Sequence, residues 1–188
     1  MNEDHYIQPI QQSDQGLANS FTGRLIDYIN PTPAMISLQD ISTGLTNICR
    51  FGGQIKDFYS VAEHTMLVWH LCPDHLKQAA LLHDAAEAYL GDVIKPLKML
   101  IQDCYGPIEE KFEKVIFQKF GVDLNLLTEV KHYDIQALEI ENNYFRFGNL
   151  DFISKFYDIN EELYFGKTIK EKFYMLLRSE FSHREIGG

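Results

Sequence analysis

The sequence predicts an all-α protein with a single domain, because helix signals recur along the chain and strand signals are scarce. Three patterns with the spacing of a capping box, at 37–40, 60–63 and 168–171, each precede a stretch with helical apolar periodicity. The length of 188 residues suits one domain with a sizeable core. The sequence shows no internal repeat, low-complexity segment or linker that would divide it.

The predicted elements follow one another in order. A polar N-terminal arm is expected over 1–20 and the helical domain over 21–188. Two Pro and a Gly predict irregular structure or a short strand within 21–36, and the glycine pair at 52–53 predicts a loop. Helices are expected over about 37–48, 60–71, 75–90, 107–120, 124–145 and 168–181, with a short helix starting at Pro96.

Composition and charge argue against several classes of protein. The formal net charge of −10 disfavours non-specific binding to duplex nucleic acid, although it leaves room for a small anionic substrate. The cysteines at 49, 72 and 104 form neither a disulfide framework nor a metal-binding pair, which fits a reducing compartment. The N-terminus lacks the apolar core of a signal peptide, and no apolar run approaches a membrane span. We therefore expect a cytoplasmic protein without a membrane partner.

An adjacent His83-Asp84 pair lies within an Ala/Leu-rich helical segment, and Glu87 and Asp92 follow at short offsets. Ionisable groups in apolar surroundings cost free energy unless something compensates them, and a metal ion is an economical compensation. A metal beside spare carboxylates indicates hydrolytic chemistry. Each residue alone would more often be a core or capping residue, but the combination favours a metal site.

Further ligands must come from other helices, because His83 and Asp84 cannot complete a coordination shell. His64 lies on the preceding predicted helix, which a short turn around Pro73 joins to the helix of His83. The two helices are expected to be antiparallel neighbours, so His64 should lie close to His83.

The segment 131–141 offers the remaining ligand. Asp134 is followed by an apolar run and is expected to face inward. His132 lies two residues away, about 200° round a helix. Glu139 and Glu141 are expected on the solvated side.

The order His64, His83-Asp84 and Asp134 resembles the H…HD…D signature of the HD superfamily of metal-dependent phosphohydrolases. The segment HDAAEAYLGDVIKPLK at 83–98 is similar to the corresponding segment of the bacterial 5′-deoxynucleotidases of that superfamily. It also resembles small phage and bacterial HD hydrolases, which include dATP triphosphohydrolases. The motif-bearing resemblance covers more than half of the chain.

The resemblance implies one helical-bundle HD domain that holds a divalent ion through two His and two Asp. The matching positions are His64, His83, Asp84 and Asp134. Such a ligand set suits Co, Mn, Zn, Fe or Ni, and Mg is expected as a further ion on the substrate phosphates. The resemblance also implies a homo-oligomer, since related enzymes form dimers or larger rings.

Two carboxylates are expected to do the chemistry. In the deoxynucleotidase branch, the positions that match Glu87 and Asp92 are catalytic. We expect Asp92 to orient the attacking water. Glu87 is expected to protonate the leaving 5′-oxygen, because an apolar environment near the ion would raise its pKa.

Basic residues are expected to bind the substrate phosphates. Lys98 matches a lysine that follows the catalytic aspartate in the nucleotidases, and Lys95 lies about one turn earlier. Arg50 lies near the position of a substrate-contacting arginine. Here Phe51 follows that arginine, where the nucleotidases have tryptophan, so the base preference cannot be carried over.

The predicted activity is cleavage of the 5′ phosphoester of a deoxynucleotide. Lys95 with Lys98, and the resemblance to the phage-type hydrolases, favour a triphosphate such as dATP, which would give deoxynucleoside and triphosphate. A 5′-deoxynucleotidase acting on monophosphates is the alternative. A nucleotide-binding HD module without turnover is more remote, because it would not need Glu87 and Asp92. A diiron oxygenase would require additional histidine ligands.

Overall fold

The computed structural model describes residues 16–147 and 168–181. Within these ranges the fold is an all-α bundle with one small hairpin, which confirms the predicted fold class. Most of the predicted N-terminal arm, at 1–15, lies outside the described residues. No helix in the described ranges has the length and apolar character needed to cross a membrane.

The hairpin precedes the helices. Strand β1 (Leu17–Asn19) pairs antiparallel with β2 (Leu25–Asp27), so that Ala18 lies opposite Ile26. Since β1 falls within 1–20, the last part of the predicted arm belongs to the fold. Strand β2 is a short strand of the kind expected within 21–36.

Eight α-helices follow in the described ranges, with short 3₁₀ turns between some of them. Their bounds are α1 Leu38–Asn47, α2 Val61–Leu71, α3 Lys77–Leu82, α4 Glu87–Leu90, α5 Lys95–Leu100, α6 Gln102–Phe120, α7 Leu127–Phe147 and α8 Ile169–Phe181. The 3₁₀ turns are Pro33–Met35, Arg50–Gly53, Asp74–Leu76 and Leu124–Leu126.

The capping patterns begin helices where the sequence predicts them. Ser60 accepts from the backbone N–H of Glu63, whose carboxylate accepts from the Ser60 N–H at 2.8 Å, so the capping box at the start of α2 is complete. The Ser37 side chain accepts from the Asp40 N–H at the start of α1. Thr168 and Glu171 make the same reciprocal pair before α8. Each cap satisfies N–H groups that the first helical turn leaves without partners.

Helix α2 runs through the centre of the bundle, in contact with α1, α3, α7 and α8. Its residues from Val61 to Val68 are all buried. Phenylalanines of α6 and α8 also belong to the core. Almost completely buried are Phe112, Phe117, Phe120, Phe173 and Phe181. His64, at 0% exposure, therefore lies in the close-packed interior of the bundle.

Helix α1 approaches α4 closely at Gly44. A Cβ atom on Gly44 would lie 2.7 Å from the carbonyl oxygen of Ala88, closer than real Cβ atoms come to such an atom. The contact fixes α4, and with it Glu87, against the core.

The helix predicted over 75–90 is interrupted at the His83-Asp84 pair. Helix α3 ends at Leu82 and α4 begins at Glu87, with i→i+3 bonds such as Glu87 N–H to Asp84 O (2.9 Å) between them. The reason lies in the His83 ring, whose Nδ1 donates to the carbonyl oxygen of Ala80 at 2.8 Å. In a continuous α-helix that carbonyl would accept from the Asp84 N–H.

Helix α6 begins earlier than predicted. It starts at Gln102, so Pro107 lies inside the helix instead of at its first position. The carbonyl that loses its partner to proline is that of Asp103, in the exposed first turn, where water can satisfy it.

Candidate metal centre and cleft

Four side chains from three parts of the fold converge at one point. His64 comes from α2, His83 and Asp84 from the turn between α3 and α4, and Asp134 from α7. The Nε2 atoms of His64 and His83 lie 3.3 Å apart. Asp84 Oδ2 lies 3.1 Å from His83 Nε2 and 3.5 Å from His64 Nε2. Asp134 Oδ1 lies 3.2 Å from His64 Nε2.

These separations fit ligands around one metal ion. With metal–ligand bonds of about 2.1 Å, ligand atoms lie roughly 3.4 Å apart in a tetrahedral site and roughly 3.0 Å apart between octahedral neighbours. The contacts of 3.1–3.5 Å fall in that range. His64, which is buried, and the partly buried His83 and Asp134 form a group that could hold a metal ion. Asp84 supplies a further oxygen beside it.

Hydrogen bonds at the far side of each imidazole orient the two histidines. The carbonyl oxygen of Ala80 can only accept, so His83 Nδ1 carries a proton. His64 Nδ1 lies 2.7 Å from Glu141 Oε1, and its N–H donates to that carboxylate. With Nδ1 of each ring engaged in this way, the two Nε2 atoms face each other, and once they are deprotonated a cation between them would stabilise the arrangement.

Electrostatics favour a positive charge at this point. Burial lowers the pKa of His64, but the charge of Glu141 together with the hydrogen bonds to Asp134 and Glu141 more than offsets burial and raises the pKa to about 9. Burial raises the pKa of Asp134, but its hydrogen bond with His64 and the charges nearby hold that pKa well below the ordinary value. The pKa of Asp84 is held low in the same way, first by His83. The carboxylates are therefore ionised and available as ligands.

Glu141 was expected on the solvated side, and that expectation is wrong. Its side chain is 0% exposed and binds both His64 and Arg50. It follows Asp134 by seven residues, two full helical turns, so both carboxylates lie on the same face of α7. This spacing is the signal in the sequence that could have identified it. Glu139 is exposed, as expected.

Arg50 was predicted to bind a substrate phosphate, but its guanidinium already contacts carboxylates of the protein. Its Nη2 donates to Glu141 Oε2 at 3.0 Å, and its Nη1 lies 3.9 Å from Asp84 Oδ2. These carboxylates raise its pKa, against the effect of burial. The guanidinium therefore bridges a metal-ligand candidate and the carboxylate behind His64, while its edge still lines the cleft described below.

Phe51, after Arg50, adopts an uncommon backbone conformation. Its φ of 59° lies in the left-handed region, and the next two residues are glycines in the same region. A non-glycine residue there costs about 1–3 kcal/mol, and such strain is concentrated at functional sites. The Phe51 ring packs edge-on against Phe145, with ring centroids 5.7 Å apart, and forms part of the cleft wall.

Two compartments meet beside the four converging side chains. The inner cavity, of about 210 Å³, extends towards α6. The cleft is larger, about 1080 Å³, and runs between the loop at Arg50–Gly53, α5 and α7. Glu87 lines both compartments, and Asp92 lines the cleft.

Glu87 and Asp92 differ in environment. Burial raises the pKa of Glu87 well above 4.5, and the negative charges of Asp84 and Asp92 raise it further. Within the described residues, Glu87 Oε2 is buried without a hydrogen-bond partner. Burial also raises the pKa of Asp92, but Arg50 opposes that rise. Glu87 is thus the carboxyl group that favours its protonated form.

The two lysines predicted to bind phosphate differ in the compartments they line and in their ion pairs. Lys98 lines both compartments, and its Nζ lies 2.5 Å from Glu109 Oε1 on α6. Lys95 lines only the cleft and is exposed. No pattern in the sequence identifies Glu109 as the partner of Lys98, because that contact depends on how α5 packs against α6.

The fold and the site together define an all-α protein with a candidate His/Asp metal centre at the base of a cleft. No protein-family model matches the chain. The chain is 41% identical over 122 residues to the uncharacterized protein YfdR of Escherichia coli, a match that covers 65% of this chain and 68% of YfdR. The chain belongs to the same family as YfdR.

A second relative is less similar in sequence. An uncharacterized protein of Rhodobacter capsulatus is 37% identical over 119 residues, which is 58% of this chain and 61% of that protein. The match thus spans less than two thirds of the Rhodobacter protein. Neither name assigns an activity.

Proposed function

We propose that the protein is a metal-dependent phosphohydrolase that cleaves the 5′ phosphoester of a deoxynucleotide. The observation that carries the proposal is the pair of Nε2 atoms of His64 and His83, 3.3 Å apart, with Asp84 and Asp134 beside them. That ligand set adjoins a cleft large enough for a nucleotide and a buried carboxyl group with a raised pKa.

The ion in this proposal is one divalent transition metal: Co, Mn, Zn, Fe or Ni. Two imidazoles and two carboxylates suit any of these, and the hydrogen bonds to Ala80 O and Glu141 add the outer support that metal-bound histidines usually have. When bound, the ion would polarise a phosphoryl oxygen and offset negative charge in the reaction. Mg on the substrate phosphates completes the proposed set of cofactors.

Glu87 is proposed as the general acid. Its raised pKa favours the protonated form, and Oε2 has no competing partner in the described part of the chain. The group can therefore donate its proton to the 5′-oxygen as the P–O bond breaks. Asp92, which is less strongly perturbed, is proposed to accept a hydrogen bond from the attacking water and so orient it.

The rest of the cleft suits the nucleoside. Apolar side chains line part of the cleft wall, with Phe51, Phe145 and Leu138 among them. A flat base can stack on aromatic and aliphatic groups without specific hydrogen bonds. This wall supports a nucleotide substrate but does not select among bases.

The test is product analysis with the full-length chain and matched variants. Protein loaded with Mn²⁺, Co²⁺ or Mg²⁺ is incubated with dATP and with dAMP, and deoxynucleoside release is separated by ion exchange. We expect release in the unaltered protein and its loss in His83→Ala and Glu87→Gln, whereas Glu139→Gln, on the exposed side of α7, retains it. Binding of nucleotide at every metal loading, without any deoxynucleoside release, would show a binding module instead.

A further inference from the structure

The two compartments beside the candidate metal centre differ in charge. Five charged residues line both of them: Asp84, Glu87, Lys98, Lys131 and Asp134. The charged residues that line only the inner cavity are acidic, namely Glu109 and Glu113. Those that line only the cleft are three bases and one acid, namely Arg50, Lys56, Lys95 and Asp92.

Most of the basic groups already offset a carboxylate. Arg50 binds Glu141 at 3.0 Å. Lys98 binds Glu109 at 2.5 Å, and Lys131 binds Asp134 at the same distance. To bind an additional phosphate, each of these groups would have to break its ion pair with a carboxylate or contact both anions at once.

Lys56 and Lys95 differ from these three basic groups in their exposure and in their ion pairs. Both side chains are exposed at the cleft. Among residues 16–147 and 168–181, no carboxylate oxygen lies within 4.0 Å of either ammonium group. They lie on separate segments, the loop after Arg50–Gly53 and the first turn of α5, which face the same cleft.

We propose that Lys56 and Lys95 form a subsite for the phosphates beyond the one that is cleaved, so that the cleft accepts a nucleoside 5′-triphosphate. This inference rests on the proposed function. A triphosphate carries about four negative charges at neutral pH, and Glu109 and Glu113 would repel it from the inner cavity. The phosphate tail therefore extends along the cleft, where two ammonium groups offer six N–H donors that pair with no carboxylate of the described ranges.

The size of the cleft is consistent with this placement. Its volume of about 1080 Å³ leaves room for the phosphate tail beside the nucleoside. The inner cavity, at about 210 Å³, has room for several water molecules but is too small for a nucleoside with phosphates.

The experiment compares the double variant Lys56→Gln/Lys95→Gln with a control that loses the same charge, Lys114→Gln/Lys119→Gln on α6, away from the cleft. Both are assayed as Mn²⁺-loaded full-length protein on dATP and dAMP. The measured quantity is the ratio of kcat/KM for the triphosphate to kcat/KM for the monophosphate. We expect this ratio to fall about tenfold in the cleft variant and to stay unchanged in the control.

The same variants are tested with inorganic triphosphate, which lacks a nucleoside. It should bind the Mn²⁺-loaded protein, by calorimetry, about tenfold more weakly in the cleft variant than in the control. An unchanged dATP-to-dAMP ratio, or turnover of dAMP without dATP, overturns the subsite but leaves the proposed function standing. Absence of turnover with either substrate overturns the proposed function, and inorganic triphosphate binding then decides on the subsite by itself.

Discussion

Glu141 Oε1 lies 2.7 Å from Nδ1 of His64, and neither side chain is exposed to solvent. A carboxylate behind an imidazole fixes which nitrogen carries the proton and increases the basicity of the opposite nitrogen. Arg50 binds the second oxygen of the same carboxylate, so Glu141 is held from two sides. The orientation of His64 thus depends on a residue 77 positions later in the chain.

Replacement of this carboxylate tests its role. Glu141→Gln keeps the shape of the side chain but removes the charge, and it leaves Arg50 without its nearest carboxylate. We expect the affinity for Mn²⁺ or Co²⁺ to fall about 10- to 100-fold, as for other residues that support metal-bound histidines. Competition with a fluorescent chelator measures the change. Equal affinities in Glu141→Gln and in the exposed control Glu139→Gln would contradict the assignment.

Metal binding should stabilise the folded chain. An ion that binds only the native state contributes about 2.7 kcal/mol when its concentration is 100 times Kd. We expect Tm to rise with added Mn²⁺ and to fall on treatment with a chelator. His83→Ala should abolish the response, because it removes one of the two facing imidazole nitrogens. A similar rise in Tm for His83→Ala and for the unaltered protein would place the bound ion elsewhere.

Glu87 should make the stability of the metal-free protein depend on pH. Its folded-state pKa is raised well above 4.5, so the stability it contributes is fully present below pH 4.5 and is lost as pH rises through the folded value. The variant Glu87→Gln cannot ionise and should not show this loss. Urea unfolding at several pH values should therefore find the variant increasingly favoured over the unaltered protein as pH rises. A stability difference that does not change with pH would refute the raised pKa.

A side chain at Gly44 should destabilise the close contact between α1 and α4. In Gly44→Ala the new Cβ would meet backbone atoms of Ala88 at 2.7–2.8 Å, and these atoms cannot rotate away. We expect a loss of about 1–3 kcal/mol in the free energy of unfolding, typical of an overpacked core. Gln39→Ala, at an exposed position of the same helix, is the control and should change stability little. Stability equal to the unaltered protein would show that the helices can separate without cost.

Local signals in the sequence were sufficient for a large part of the fold. The capping patterns at Ser37, Ser60 and Thr168 rely on neighbouring residues alone, and the helices begin there. The structure also brings His64, His83, Asp84 and Asp134 together, as their order and apolar surroundings indicated.

What the sequence did not reveal depends on tertiary packing. Whether Glu141 faces water or His64 is decided by the side of α7 that packs on α2, and a carboxylate in a polar stretch gives weak evidence on that point. The partner of Lys98 is decided by the angle between α5 and α6. The break after Leu82 arises because the His83 ring competes for a backbone carbonyl, which helical periodicity does not show.

The unequal exposure of the converging side chains has a consequence for ion exchange. The imidazoles of His64 and His83 are 0% and 6% exposed, whereas Asp84 and Asp134 are 20% and 19% exposed. An ion arriving from solvent therefore meets the two oxygen donors before it reaches nitrogen. If the site binds metal, we expect hard ions that prefer oxygen to exchange at this outer pair and ions that prefer imidazole nitrogen to be retained.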